Sequence, residues 1–167
     1  ASVDEILPGI QYQKNIVGNQ LDDVVGSVDK WVKANSPSTK PKIDGFLKTI
    51  DDELELAKNF PDAKNIQGIA KEFKKLKDID SFADLWEFRQ RLDAKYTKGG
   101  KVGYFDPRYV ELRNQFDDIL LTQMDDIIKK TPSLTEKVGD ANVASLVRKH
   151  KALTQVDQLA SYGTERA

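Results

Sequence analysis

Leu85-Trp86-Glu87-Phe88-Arg89-Gln90-Arg91-Leu92-Asp93 is echoed by Tyr109-Val110-Glu111-Leu112-Arg113-Asn114-Gln115-Phe116-Asp117. Glu, Arg and Asp recur in register, and apolar residues fall at the same offsets. Both copies have the three/four spacing that builds one face of an α-helix. They are related about residue 101, inside the glycine-rich stretch Gly99-Gly100-Lys101-Val102-Gly103. An antiparallel helical hairpin with a local twofold axis requires that centre, so residues Asp80 to Lys130 are read as the hairpin around which the chain packs. Arg89 and Arg113 then face each other at one level. Asp93 and Asp117 lie one turn away, each four residues from its own arginine and within reach of the opposite one. The expectation is an Arg/Asp cluster at the edge of the hairpin seam that fixes helix register. The other reading of the same residues is an anion or carboxylate site built on the arginine pair.

Working outward, Asp106-Pro107 is a strong start for the second hairpin helix, with an acceptor at the cap and proline at the first position. Asp80 or Ser81 caps the first, which ends near Tyr96. Thr131-Pro132 repeats the cap-then-proline signal and opens a last helix to about Ser161, unless Gly139 breaks it early. Toward the N-terminus, Ile66, Ile69, Ala70, Phe73 and Leu76 mark a short helix to about Lys77, capped by Asp62. Ile43, Phe46, Leu47, Ile50, Leu54, Ala57 and Phe60 mark another, with Pro41 in its first turn and Pro61 as its stop. The first long helix runs from about Ile10 to Ala34 on Ile10, Val17, Leu21, Val24, Val25, Val28 and Val32, after a lead-in ending in the Pro8-Gly9 turn. Gly18 and Gly26 either weaken it or mark close helix approach. No stretch alternates with period two for long enough to be a strand. The expected fold is all-α: one domain over residues 1–167, a bundle of five to six antiparallel helices.

Composition removes several functions. At 167 residues the chain is long enough to bury a core. Charges interrupt every apolar run before about 18 residues, which argues against a membrane span. Lys+Arg 26 against Asp+Glu 27 leaves no net field to steer a polyanion. The absence of cysteine removes disulfides and zinc-thiolate sites.

The remaining chemistry is sparse. Asp22-Asp23, Asp51-Asp52, Asp117-Asp118 and Asp125-Asp126 are doublets whose members point about 100° apart on a helix, so one doublet cannot converge on a metal. Each is expected to hold one core-edge and one solvated aspartate. His150, the single histidine, has Val147 three residues back, which excludes a Glu-x-x-His di-iron site. Set between Lys149 and Lys151, it is expected to be solvated, with no acid or serine for a triad. The glycine-rich loop lacks P-loop spacing and follows no strand. Lys71, Lys74, Lys75 and Lys77 form a basic patch around Phe73 that could hold nucleic-acid phosphates, diluted by Glu72 and Asp78.

The span Asp84 to Ala167 resembles a helical segment of large multidomain phage- and prophage-encoded proteins, some carried in the virion. The residues that carry the likeness are Leu85–Asp93, Leu112–Asp117 and the closing Gly163-Thr164-Glu165-Arg166-Ala167. It implies a structural or linking module, with a location in the virion or host cytoplasm. Both chain ends are expected to be cuts from a longer polypeptide. The resulting expectation is a non-enzymatic structural and protein-interaction module. It would use no cofactor or metal, and its partners would be another protein or neighbouring domains of the same polypeptide, with no membrane. Nucleic-acid association through the lysine patch is the alternative.

Overall fold

The computed structural model describes residues 3–60, 63–97, 106–138, 145–146, 148–150 and 152–153. Six α-helices follow in order: α1 (Val3–Asn35), α2 (Asp44–Ala57), α3 (Lys64–Lys74), α4 (Phe82–Thr97), α5 (Pro107–Lys130) and α6 (Pro132–Val138). A 3₁₀ turn over Lys75–Asp78 joins α3 to α4. No strand occurs among the described residues, so the bundle is all-α. No described helix is long and apolar enough to cross a membrane.

The seven apolar positions that define α1 in the sequence are all buried. The helix nevertheless starts at Val3, with Pro8 inside it. Proline one turn into a helix removes a single backbone donor, and the chain on either side stays helical. Nothing lies within 4 Å of a Cβ built on Gly18 or Gly26, so neither marks a close helix approach.

Helix α2 begins later than Pro41 implies. Gln123 on α5 accepts from the Lys42 N–H and donates to the Lys42 carbonyl, both at 2.7 Å, which holds that residue outside the helix. At its other end the Lys58-Asn59 turn swings Phe60 out to 62% exposure, although the apolar stripe places it inside. The caps at the hairpin behave as read. Ser81 Oγ accepts from the Asp84 N–H at 3.2 Å, and an Asp106 carboxylate oxygen accepts from the Arg108 N–H at 2.8 Å. Helix α6 is described over Pro132–Val138, and the backbone is helical at 145–146, 148–150 and 152–153. The predicted Asp62 cap, the glycine-rich loop and Gly139 lie outside the described residues.

The helices run antiparallel. Asp22 meets Trp86 and Gln90, while Asp29 meets Ala83, which orders α1 against α4. Lys74 meets Asp51, and Gln67 meets Ala57, which does the same for α2 and α3. An aromatic chain crosses the core: Phe46 packs on Phe73 and Phe116 at 5.5 Å, Phe73 on Tyr109 at 5.7 Å, and Tyr109 on Tyr96 at 4.8 Å. Rings from α2, α3 and the two hairpin helices α4 and α5 therefore share one layer.

Candidate functional site

Helix α4 contributes Arg89 and Asp93 to the candidate site; α5 contributes Tyr109, Arg113 and Asp117. Arg89 donates from Nε and Nη2 to the two carboxylate oxygens of Asp117 at 2.9 and 2.7 Å. Its Nη1 reaches Asp93 at 2.7 Å. Arg113 donates to the other Asp93 oxygen at 3.1 Å, and the Tyr109 hydroxyl donates to that same oxygen at 2.5 Å. The two cross-helix pairs, Arg89–Asp117 and Arg113–Asp93, are related by the local twofold that the sequence echo implies. The symmetry is broken where Tyr109 stands against Leu85 in the other copy, since only the tyrosine can donate.

The four charged residues come together as the repeat predicts; three of them lie deeper than the edge of the seam, and the half-buried Asp93 reaches an open depression. Arg89, Arg113 and Asp117 are each no more than 3% exposed. Long arginine stems bridge two helices whose facing side chains are large, so the charges meet in the interior. Two cations and two anions make the group neutral as a whole, the condition under which buried charge is tolerated. The Arg89 guanidinium also lies 4.8 Å from the Trp86 ring, whose Nε1 donates to Asp22 on α1 at 2.7 Å.

Titration follows this environment. Burial alone would raise the Asp93 carboxyl, but the charges of Arg89 and Arg113 and the bonds from Tyr109 and Arg113 outweigh it and hold it below its ordinary value. Burial, then the charge of Asp93, raises the Tyr109 phenol. For Arg89, burial opposes the charge, yet Asp117 and Asp93 prevail and keep the guanidinium protonated.

His150 is a correction to the sequence reading. It is half-buried and faces the cluster, and burial and the Arg89 charge lower it from 6.5 to about 4. Lys149, its neighbour, points into solvent, while His150 shares a helical face with Leu146 and Leu153. With Lys14, Asp22, Gln90 and Asp93 it lines an open depression of about 510 Å³.

The doublet rule holds at Asp117-Asp118, where Asp117 is buried and Asp118 exposed. It fails at Asp51-Asp52, both exposed. No group of three metal-ligating side chains converges among the described residues. Lys71, Lys74, Lys75 and Lys77 are all exposed. Lys74 pairs with Asp51 and Lys75 with Glu72, each at 3.0 Å, and Lys95 also reaches Glu72 at 3.2 Å.

Asp29 was missed in the sequence. It is 6% exposed on α1, accepts from the Ala83 N–H at 3.2 Å and pairs with Lys33 at 2.7 Å. Its position between Val25 and Val32 puts an acid on the apolar stripe, which is the signal that marks it. No family model, curated protein or solved structure matches this chain.

Proposed function

We propose that the chain is a non-enzymatic helical structural and protein-interaction module of a larger, phage-encoded protein. The Arg89–Asp117 and Arg113–Asp93 bridges carry this reading. Arg89 holds both oxygens of Asp117 and Arg113 reaches Asp93 across the seam, which joins α4 to α5. A buried ionic cluster of this kind sets register and specificity more than it adds stability. The parent protein is the part of the proposal supplied by the likeness of residues 84–167 to phage-encoded helical segments. Polyanion contact is the weaker reading, because Lys74 and Lys75 already spend their charge on Asp51 and Glu72.

Replacing Arg89 and Arg113 together by alanine tests the structural role. Stability or assembly should fall sharply, since the buried Asp117 would lose both of its bonds to Arg89 and Asp93 would lose both arginines. Unchanged folding and assembly would sink the proposal. Intact-mass measurement of the native protein tests the parent: a chain much longer than 167 residues is expected.

A further inference from the structure

We infer that the groove between the end of α2 and the start of α5 docks a basic amphipathic helix of a protein partner, an inference that rests on the interaction-module reading above. Ala57, Ala63, Ile66 and Leu112 line it, and its volume is about 480 Å³. Leu56 and Phe60 stand at its mouth, 56% and 62% exposed. One large apolar side chain in water is ordinary. Two flanking an open apolar groove form the kind of patch that marks an interaction site.

The charges around the groove specify the partner. Glu53 and Glu111 line it, and Asp52 shares the Leu56 face four residues earlier. None of these three carboxylates has an ion pair or a side-chain hydrogen bond among the described residues, and the same holds for the Arg108 guanidinium beside them. The neighbouring acids Asp51 and Glu55 are committed instead to Lys74 and Lys58. Two carboxylates against one guanidinium on the lining, with Asp52 one turn from Leu56, leave a negative rim around an apolar floor. Its complement is a helix that carries lysine or arginine beside large apolar anchors. Helix-walled grooves take such helices by their i and i+4 side chains.

The test uses a labelled, stapled helical peptide with leucine and phenylalanine one turn apart and lysines flanking them, together with a twin carrying glutamates. Fluorescence anisotropy should show saturable binding of the lysine peptide, weaker at about 0.5 M salt than at about 0.05 M. The glutamate twin should bind at least about tenfold more weakly. The double variant Leu56→Asp/Phe60→Asp should abolish binding while its circular dichroism and melting stay unchanged, because both side chains are exposed. Glu53→Lys with Glu111→Lys should invert the peptide preference. Equal binding of the twins, binding indifferent to the Leu56 and Phe60 changes, or no binding of either peptide overturns the inference. A peptide-free dimer dispersed by Leu56→Asp would assign the groove to a second copy and overturn it as well. Loss of the groove alone leaves the structural reading standing, because the Arg89/Arg113 variant decides that separately.

Discussion

Arg89 and Asp117 sit on adjacent antiparallel helices and meet through two parallel hydrogen bonds of 2.9 and 2.7 Å, both side chains all but closed to solvent. The planar guanidinium matches the carboxylate edge for edge, so the bond fixes the relative height and rotation of α4 and α5. Asp117→Ala should cost about 3–5 kcal/mol, because it leaves a buried guanidinium one partner short. The double change Arg89→Met/Asp117→Leu should recover most of that loss, since it removes both charges together. Urea unfolding of Arg89→Met, Asp117→Leu and the double gives the coupling energy directly. Additive losses would mean that the pair does not act as a unit.

Acid should weaken the fold in two stages. His150 is held near pH 4 in the folded chain, against an ordinary value of 6.5. The unfolded chain therefore binds the extra proton first, and stability falls as pH drops from about 6.5 to about 4. The charges facing His150 are Lys14 and Asp22 on α1, Arg89 and Asp93 on α4, and Arg113 and Asp117 on α5. Asp93 acts lower down. Its depressed carboxyl contributes stability above the ordinary value of 3.8, and this is lost as pH falls through the folded value. In His150→Gln the urea midpoint should be flat between pH about 6.5 and about 4 but should still collapse below it. A slope that survives the substitution would place the titrating group elsewhere.

Local patterning made most of this legible. The α1 stripe, the Ser81 and Asp106 caps and the pairing of Arg89 with Asp117 all follow from spacing, because helix periodicity and antiparallel register are short-range properties. Phe60 did not follow: where a helix ends decides which way its last apolar residue points. His150 and Asp29 sit at apolar-stripe positions, four residues from Leu146 and Val25 respectively, yet residue type alone reads them as solvated. What holds them is supplied by other helices, and that pairing is visible only once α1, α4 and α5 are assembled.

Asp29 caps a helix that is not its own. The first turn of α4 has orphan N–H groups; Ser81 takes that of Asp84, and Asp29, reaching over from α1, takes that of Ala83. Asp29→Ala should therefore cost about 1–2 kcal/mol in chemical denaturation, the range of a lost N-cap. Lys33, whose ammonium is raised by its bond to Asp29, is solvated, and Lys33→Ala should leave the unfolding midpoint within error. If the lysine change matched the aspartate change, the ion pair and not the cap would be the source of the stability.

Gly26 offers the opposite sign. It lies in the middle of the 33-residue helix α1, is exposed, and has nothing within 4 Å of where a Cβ would stand. A helical glycine leaves the unfolded chain more freedom to lose and adds no contact in return. Gly26→Ala should then stabilise the protein by about 0.5–1 kcal/mol, read as a higher urea midpoint at unchanged slope. Gly18 is less clean, because it borders the depression below His150, where an added methyl would alter the lining. A neutral or destabilising Gly26→Ala would contradict the open, regular helix that α1 shows at this position.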